Sequence, residues 1–432
     1  MLSVQLFPEP AAWKSLSRRP FGDAPVAPVL VRKVFETVAA KGDDALRHYT
    51  LQFDNVALGD LRVSEKELSA AAAQISDELK SAIQTAAQNI RCFHEAQQLT
   101  EPVVETMPGV RCWRKSVPVD RVGCYVPGGS APLFSTVLML GIPAQIAGCR
   151  QRIVCTPPDR SGAVHPAILY AASVAGITDV FKVGGIQAIA AMSCGTATIP
   201  AVDKIFGPGN RYVTAAKQYA QQSGLAIDMP AGPSEVLVIA DSKAVPAFVA
   251  ADLLSQAEHG PDSQVMLLTD SEELLGAVQA ELRQQLEILP RKDIALQALQ
   301  GSRAILLSDV GACIEFSNVY APEHLILAVE HPVRMSAAVR NAGSVFLGNY
   351  TCESAGDYAS GTNHTLPTAG YARAYSGVSL ESFTKKISFQ SITPSGLELI
   401  GPVIETMASA EGLDAHKAAV RIRLSRIQSD KL

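Results

Sequence analysis

Hydrophobic and polar residues follow two different patterns along the 432-residue chain, and the change comes near residue 100. Over residues 64–98, the Pro-free segment SEKELSAAAAQISDELKSAIQTAAQNIRCFHEAQQ opens with an S-x-x-E capping box and predicts a long helix. Beyond it, short β-rich runs alternate with helical segments, as where RIVCTPP precedes PAILYAASVAG and EVLVIAD precedes VPAFVAADLLSQAEH. Strands and helices that alternate in this way form parallel sheets covered on both faces, so we expect an α/β fold.

Further β-rich runs extend the alternation toward the end of the chain, at residues 303–309, 324–330 and 344–348. Together with the earlier runs, they suffice for two α/β lobes with parallel sheets. Two segments rich in turn residues, YVPGGSAP (125–132) and DMPAGPSE (228–235), are the best candidates for the crossings between these lobes. A chain that enters a lobe at the first segment and leaves it at the second makes that lobe an insertion.

The predicted organisation therefore has four parts. Residues 1–24 form an N-terminal arm, residues 25–126 and 236–377 the main α/β lobe, and residues 127–235 the inserted α/β lobe. The last part, residues 378–432, contains two predicted helices, PSGLELIGPVIETMASAEG and DAHKAAVRIRLSRIQ, without strands to pack against. We expect it to be a helical C-terminal arm.

Composition and charge narrow the classes of partner. Hydrophobic residues make up 47% of the chain, enough for a core in each lobe, and the formal net charge is -5 at pH 7. A chain of this charge, without a long run of Lys or Arg, offers no surface that could follow nucleic-acid phosphates. The most apolar segment, FSTVLMLGIPAQIAG, is interrupted by Pro143 and Gln145, so we expect neither export nor membrane insertion. Small molecules are the expected partners.

The 8 cysteines are scattered through the chain without a C-x-x-C pair. This distribution favours reduced thiols over a disulfide framework and predicts a cytoplasmic location. Because no cysteine lies in a recognisable nucleophile motif, each is expected to be a small buried hydrophobic residue.

Glycine-rich turns between a β-rich run and a helical segment occur three times, in YVPGGSAP, KVGGIQAIA and IFGPGNRYV. Each brings backbone amides close to a helix start, where a phosphate group can bind. None matches G-x-G-x-x-G, and glycine is common at helix starts for reasons of turn geometry alone. Three such turns within one lobe nevertheless favour a nucleotide site there.

Polar residues interrupt the apolar pattern at three places. In QAEHG, Gln256 and His259 are three residues apart and share one face of a helix that ends at the following Gly-Pro pair. Asp357 lies in SAGDYASGTNH, which is too polar and too rich in glycine to form a core and is expected to be a surface loop. Glu323 and His324 directly precede an apolar strand, in a position from which a sheet edge can present catalytic groups.

These residues have structural interpretations as well as functional ones. A histidine at a helix end is commonly a capping or packing residue, and a polar glycine-rich segment is commonly only a loop. Two imidazoles, a carboxylate and an amide oxygen are also suitable ligands for zinc, although no compact H-x-x-x-H spacing marks a site here. The spacing alone therefore leaves both interpretations open.

Seven blocks identify a more specific resemblance: VGCYVPGGSAPLFSTVLML, VGGIQAIAA, DKIFGPGN, DMPAGPSEVLVIAD, SQAEHGPDSQV, APEHL and AGDYASGTNHTLPT. On these blocks together, the sequence resembles the histidinol dehydrogenase family from about residue 30 to residue 425. Members of that family oxidise L-histidinol through L-histidinaldehyde to L-histidine with two NAD and one water. The resemblance implies two Rossmann-like lobes, similar to those of aldehyde dehydrogenases, which lack the usual G-x-G-x-x-G sequence, with NAD bound to the inserted lobe.

The resemblance also assigns residues. It implies one zinc ion per subunit, which holds the substrate on the ligands Gln256, His259, Asp357 and His416. It makes His324 the general base and Glu323 the residue that activates water. It implies substrate contacts for Ser234, Gln256, His259, His324, Asp357, His364, Glu411 and His416. Contacts with NAD are implied for Tyr125, Gln187 and Asn210.

The C-terminal helices predict a homodimer. Both IGPVIETMASA and AAVRIRLSRI carry apolar stripes that two helices alone cannot bury, so a second subunit is the natural surface for them. In the family that the sequence resembles, this arm crosses to the partner. Glu411 and His416 would then complete the active site of the other chain, so that the subunits share their active sites.

Three other functions use the same residues. A zinc hydrolase would need the metal and Glu323 as general base, but no nucleotide lobe. A metal-dependent binding protein would leave Glu323 and His324 without a role. A covalent aldehyde dehydrogenase would need a nucleophilic cysteine, and only Cys352 lies next to a polar block.

Overall fold

The computed structural model describes residues 1–20, 26–128, 132–230 and 232–430. Its strands, in chain order, are β1 (Ser3–Leu6), β2 (Val104–Met107), β3 (Val110–Pro118), β4 (Arg121–Tyr125), β5 (Gln151–Cys155), β6 (Asp179–Phe181), β7 (Lys204–Phe206), β8 (Ala226–Ile227), β9 (Glu235–Ala240), β10 (Gln264–Thr269), β11 (Arg303–Leu306), β12 (His324–Ala328), β13 (Ser344–Leu347) and β14 (Thr384–Ile392).

The helices cover most of the remaining described residues. They are α1 (Pro10–Leu16), α2 (Pro28–Lys41), α3 (Asp43–Asp54), α4 (Glu65–Ala70), α5 (Asp77–Glu95), α6 (Phe134–Ala147), α7 (Pro166–Val174), α8 (Gly185–Cys194), α9 (Arg211–Gln222), α10 (Pro246–Ala257), α11 (Glu272–Ile288), α12 (Lys292–Gln300), α13 (Val310–Tyr320), α14 (Pro332–Ser336), α15 (Glu353–Tyr358), α16 (Pro394–Ala410) and α17 (Asp414–Ser429).

One lobe is built on a six-stranded parallel sheet with the order β1-β11-β10-β9-β12-β13. Its central strands are apolar on both faces, because helices cover both. In β9, Val236 and Val238 pack into the core on one face, whereas Leu237 and Ile239 pack into the core on the other. From β9 the chain adds β10 and β11 on one side, and β12 and β13 follow on the other. The order therefore reverses between β9 and β12.

The other lobe is built on a five-stranded parallel sheet with the order β6-β5-β4-β7-β8. Here the order reverses between β4 and β7, and each face again has its own hydrophobic core. Two parallel sheets flanked by helices confirm the predicted α/β class. Both lobes belong to one compact unit, which comprises Met1–Gln97 and Val119–Phe383.

A second compact unit comprises Gln98–Pro118 and Thr384–Leu432. It contains an antiparallel sheet of β14, β3 and β2 and the helix pair α16 and α17. The two helices come close together at Gly401, where an added Cβ would lie 2.9 Å from Leu424. The C-terminal region is therefore helical, as expected, but its helices follow a nine-residue strand that the sequence pattern did not reveal.

In the structure, the boundaries of the two lobes differ from those predicted from the sequence. Strand β4 lies at the centre of the five-stranded sheet, so the lobe predicted for residues 127–235 includes residues before 127. Helices α2 and α5 also belong to that lobe, because Val34 and Ile90 lie in its two cores. The predicted N-terminal arm contributes β1 to the edge of the six-stranded sheet. Strand pairing between distant segments set these boundaries, and the turn-rich segments did not mark them.

The structure also divides the helix predicted over residues 64–98. Ser64 caps α4 with the predicted capping box, and Ser76 caps α5 by accepting a hydrogen bond from the backbone of Leu79. Ile75 is extended between them. None of the helices in the described ranges combines the length and the apolar character needed to cross a membrane.

The backbone conformation of the turn after β7 predicts that this turn requires glycine at position 207. Gly207 has a φ of 122°, and an added Cβ would lie 2.0 Å from the carbonyl oxygen of Tyr125. We expect Gly207→Ala to lower the free energy of unfolding by about 1–3 kcal/mol, the usual cost of backbone strain. Gly276→Ala is the matched control, because an added Cβ in the middle of α11 would meet no atom within 4 Å. It should stabilise the protein by about 0.5–1 kcal/mol. Urea denaturation of both variants measures the difference, and equal midpoints would contradict the expectation.

Candidate active site

The predicted catalytic residues line a cavity of about 120 Å³ between the two sheets. The turn after β7 forms part of its wall, and the amino ends of β9 and β12 form another part. Seven residues singled out from the sequence line it: Ser234, Gln256, His259, Glu323, His324, Asp357 and His364. The structure thus brings together segments that are up to 235 positions apart in the sequence, since Leu133 and Thr368 line the same cavity.

Glu323 and His324 are held by one residue of the neighbouring strand. The backbone N–H of Glu235 donates to Oε2 of Glu323 at 2.9 Å. Nδ1 of His324 lies 3.2 Å from the carbonyl oxygen of Glu235, and because a carbonyl only accepts, Nδ1 carries the proton. Nε2 of His324 is buried and has no hydrogen-bond partner among the described residues. In the neutral form of the ring, Nε2 therefore carries the lone pair that can accept a proton.

Acidic side chains surround His324. Its Nδ1 lies 3.6 Å from Glu323 and 3.7 Å from Glu353, and its Nε2 lies 3.6 Å from Oδ1 of Asp357. Burial lowers the pKa of His324, but the negative charges of these three carboxylates outweigh burial and raise it to about 10. Burial raises the pKa of Glu323 to about 8. Strongly shifted pKa values concentrated in one cavity are typical of functional sites.

Glu353 is a member of this cluster that the sequence interpretation missed. Its side chain is 1% exposed, and neither carboxylate oxygen has a hydrogen-bond partner among the described residues. Burial raises its pKa well above the ordinary value. The expected surface loop around Asp357 is instead helix α15, in which Glu353 and Asp357 are four residues apart and share a face. An i, i+4 pair of acids in ESAGD was the available signal.

Three of the four implied zinc ligands line the cavity together. Gln256 lies in the last turn of α10 and is fully buried, and neither atom of its side-chain amide has a partner in the described part of the chain. His259, just beyond the helix end, donates from Nδ1 to the carbonyl oxygen of Ser255 at 2.9 Å, which leaves the lone pair of Nε2 available to a metal. Asp357 supplies a carboxylate, whose pKa burial raises but contact with His324 lowers below its ordinary value.

This donor set fits zinc. An amide oxygen, an imidazole nitrogen and a carboxylate oxygen are all ligands that zinc accepts, and an unpartnered buried amide is otherwise costly. Within the described ranges, His, Cys, Asp and Glu form no group of three or more that could hold a metal. The set in this cavity has only two residues of those types, because the third donor is the amide of Gln256.

His364 has both ring nitrogens engaged. Nδ1 donates to the backbone oxygen of Asp357 at 2.9 Å, and Nε2 accepts from the hydroxyl of Thr136 at 3.1 Å. Burial lowers the pKa of His364, in agreement with a neutral ring that donates at one nitrogen and accepts at the other. His364 therefore fixes the backbone that carries Asp357, in addition to lining the cavity.

The residues implied to contact NAD lie at the other sheet. Tyr125 ends β4, Gln187 lies in the first turn of α8 after β6, and Asn210 follows β7. Asn210 caps α9 by accepting from two backbone amides, and the hydroxyl of Tyr125 accepts from Gly185 at 3.2 Å. All three residues follow the carboxyl ends of parallel strands near the reversal between β4 and β7. Dinucleotides bind at this position in Rossmann-like folds.

Glu411 and His416 belong to the second compact unit. Glu411 caps the carboxyl end of α16, His416 lies in the first turn of α17, and both are exposed. The cavity described above is built from residues of the first unit alone. The assignment of these two residues to the site therefore stays a prediction.

Comparison with known proteins identifies the family. The histidinol dehydrogenase family model matches residues 18–424. The histidinol dehydrogenase of Bacteroides thetaiotaomicron is 55% identical over 428 residues, which cover 99% of this chain and 100% of the relative. The enzyme of Xylella fastidiosa strain Temecula1 is 56% identical over 91% of this chain and 92% of its own length. The chain belongs to the histidinol dehydrogenase family. The resemblance drawn from the sequence blocks is thereby confirmed.

Solved structures agree with this assignment. The crystal structure of histidinol dehydrogenase from Elizabethkingia anophelis superposes with a TM-score of 0.97 and 58% identity over 99% of both chains. An acetylating aldehyde dehydrogenase from Geobacillus thermoglucosidasius has a TM-score of 0.50 at 15% identity and covers 89% of this chain and 94% of its own. At that identity the likeness concerns the fold alone. It confirms the aldehyde-dehydrogenase-like architecture predicted for this member of the histidinol dehydrogenase family.

Proposed function

We propose that this protein oxidises L-histidinol through L-histidinaldehyde to L-histidine, the last two steps of histidine biosynthesis, with two NAD and one zinc ion per subunit. The observation that carries the proposal is the hydrogen bonding of His324. Its Nδ1 is bound to the backbone of Glu235, and its Nε2 has no hydrogen-bond partner among the described residues. The ring lines one cavity with Gln256, His259 and Asp357, which all carry groups that can bind a metal. Family membership supplies the substrate class.

Gln256, His259 and Asp357 would hold the zinc, with His416 as the fourth ligand. When bound, zinc would hold the imidazole and amine of histidinol and lower the pKa of the nearby His324, and each NAD would accept one hydride. Tyr125, Gln187 and Asn210 would bind NAD at the carboxyl edge of the five-stranded sheet. Ser234, His364 and Glu411 would add contacts to histidinol.

His324 and Glu323 would share the proton transfers. In the first oxidation, Nε2 of His324 removes the proton of the alcohol as the hydride departs. Glu323 is held through Oε2, so Oε1 can accept a proton from the water that attacks the aldehyde. The protonated His324 returns its proton to the carbonyl oxygen as the aldehyde hydrate forms, and during the second oxidation it removes a hydroxyl proton from that hydrate. Hydrolysis is the alternative for a zinc site of this kind, but it leaves the second parallel sheet and its residues for NAD without a role.

A covalent route through cysteine has little support in the structure. In the described ranges, no cysteine lines the cavity, and Cys352 lies outside it as the exposed cap of α15. Burial raises the pKa of Cys124 to about 12, so that its thiol stays protonated. Activated water on Glu323 is therefore the proposed nucleophile for the aldehyde.

The metal assignment makes the first prediction for this site. The purified protein should form two NADH for each histidinol consumed, and His259→Asn should lose most of its zinc together with this activity. His331→Asn is the control, because His331 is an exposed histidine beside α14. Elemental analysis measures the metal, and absorbance of NADH measures turnover. Full zinc and normal turnover in His259→Asn would refute the ligand set, and a wild type that does not reduce NAD with histidinol would refute the function.

We further propose a homodimer whose subunits share their active sites. In the second unit, Leu399, Val403 and Met407 are four residues apart on α16 and are 50%, 51% and 61% exposed. On α17, Ile422 is also exposed, at 69%. An apolar stripe on paired helices suits an interface with a second copy of the chain. His416 at the start of α17 would then reach the partner's cavity as the fourth protein ligand of the zinc ion.

Complementation tests the shared site. His416→Asn and His259→Asn proteins should each be nearly inactive alone. When the two are mixed, unfolded and refolded, mixed dimers should hold one intact site each and restore roughly a quarter of wild-type activity, because half of the dimers are mixed. Each parent refolded separately is the control. Mixed dimers verified by mass spectrometry but as inactive as the parents would show that His416 serves its own subunit.

A further inference from the structure

The residue that holds the catalytic pair is itself held by a distant arginine. The backbone of Glu235 binds both Glu323 and His324, but its side chain is 1% exposed and is bound by a different group. Arg19 donates from Nε to Oε2 of Glu235 at 2.8 Å and from Nη2 to Oε1 at 2.6 Å. Paired charge-assisted bonds of this kind fix both the position and the orientation of a carboxylate.

The same guanidinium contacts the turn that leads into β12. It lies over the ring of Tyr320, 3.7 Å from the ring centre, and Nη2 donates to the carbonyl oxygen of Ala321 at 3.4 Å. Ala321 ends α13 with a φ of 56° and is followed by a proline and then Glu323. Arg19 therefore holds the start of β9 through Glu235 and the turn before β12 through Tyr320 and Ala321.

A further hydrogen bond joins buried residues next to Arg19. The hydroxyl of Tyr320 donates to Oε1 of Gln264 at 2.8 Å and lies 3.1 Å from Oε2 of Glu235. Tyr320, Glu235 and Gln264 are at most 2% exposed. Removal of Arg19 would leave the Glu235 carboxylate buried without its cation, and that cost is relieved if the start of β9 moves toward solvent.

Arg19 is positioned independently of the catalytic residues. The segment before it is anchored by β1, which pairs with β11, and by Trp13, whose ring packs against Phe316 with ring centres 5.7 Å apart. Arg303 donates to the carbonyl oxygen of Leu16 at 2.9 Å. Arg19 is absent from the lining of the active-site cavity. It can thus act on the reaction only through the groups that it holds.

We propose that Arg19 is a positioning residue for both oxidations. Its two bonds to Glu235 and its contact with the Ala321 turn fix the backbone groups that orient Glu323 and set the tautomer of His324. This inference rests on the proposed function of that pair. It requires that loss of Arg19 slows the chemical steps and leaves the binding of the metal in place, because Gln256, His259 and Asp357 lie on other elements.

Arg19→Ala tests the inference. We expect kcat for histidinol to fall by about 10–100-fold, since displacement of a catalytic group by about 1 Å has effects of this size. Zinc content should stay within about twofold of the wild type, as the metal ligands are not touched, and kcat should fall by a larger factor than KM rises. Added guanidinium ion should restore part of the lost kcat by occupying the vacated site. Arg18→Ala, at an exposed neighbouring position, should have wild-type kinetics with and without guanidinium.

Arg19→Lys extends the test if Arg19→Ala does not fold. A lysine keeps the charge but cannot form both bonds to Glu235. The kcat of Arg19→Lys should therefore lie between those of the wild type and Arg19→Ala. If Arg19→Ala does not fold, the kcat of Arg19→Lys should still be below that of the wild type. Crystal structures of the folded variants should show the separation of Glu235 N and Glu323 Oε2 increased beyond hydrogen-bond distance.

Two results would overturn the inference. One is a kcat within twofold of the wild type in the folded variants. The other is a lowered kcat in a variant whose crystal structure keeps both hydrogen bonds between the Glu235 backbone and the pair Glu323 and His324. The crystallographic measurement does not depend on the substrate. If the wild type itself failed to oxidise histidinol, the proposed function would fall, whereas the separations in the variant structures would still test the role of Arg19.

Discussion

The parallel pairing of β9 with β12 is the constraint on which the site depends. In this register His324 lies beside Val236, so the N–H and the C=O of the preceding Glu235 meet Glu323 and His324. Both strands are apolar on both faces, and a slip by one residue would turn every side chain to the opposite face. The energy that buries these strands therefore also fixes the geometry of the two proton-transfer groups.

The two parallel sheets face the cavity with opposite edges, one with the carboxyl ends of its strands and the other with the amino ends. The residues proposed to bind NAD follow the carboxyl ends of β4, β6 and β7, which is the usual ligand edge of a parallel sheet. The candidate catalytic residues instead lie at the amino end of β12, where α10 also ends beside Gln256 and His259, the proposed zinc ligands. The cavity touches both edges, because the Gly207 turn after β7 lines it together with His324. This arrangement brings the edge proposed to bind a dinucleotide and the edge proposed to bind a metal to one small volume.

Local sequence patterns predicted the parts of this structure that local physics decides. Alternation of strands and helices gave the α/β class, and the polar interruptions at Gln256, Glu323 and Asp357 marked residues that share one cavity. The lobe boundaries escaped prediction because β4 pairs with β7 and β1 with β11, across distances that leave no trace in hydrophobic periodicity. Arg19 was missed for the same reason, since its partner Glu235 lies 216 positions away.

We propose that two adjacent residues divide the two oxidations, with His324 as the base in both and Glu323 needed only where water attacks. The most direct measurement is single-turnover NADH formation by Glu323→Gln, started separately from L-histidinol and from L-histidinaldehyde, beside the wild type. We expect the variant to retain most of the rate of the first hydride transfer and to lose roughly 10²-fold or more in the second, the usual effect of removing a general base. Equal losses from both substrates would contradict it.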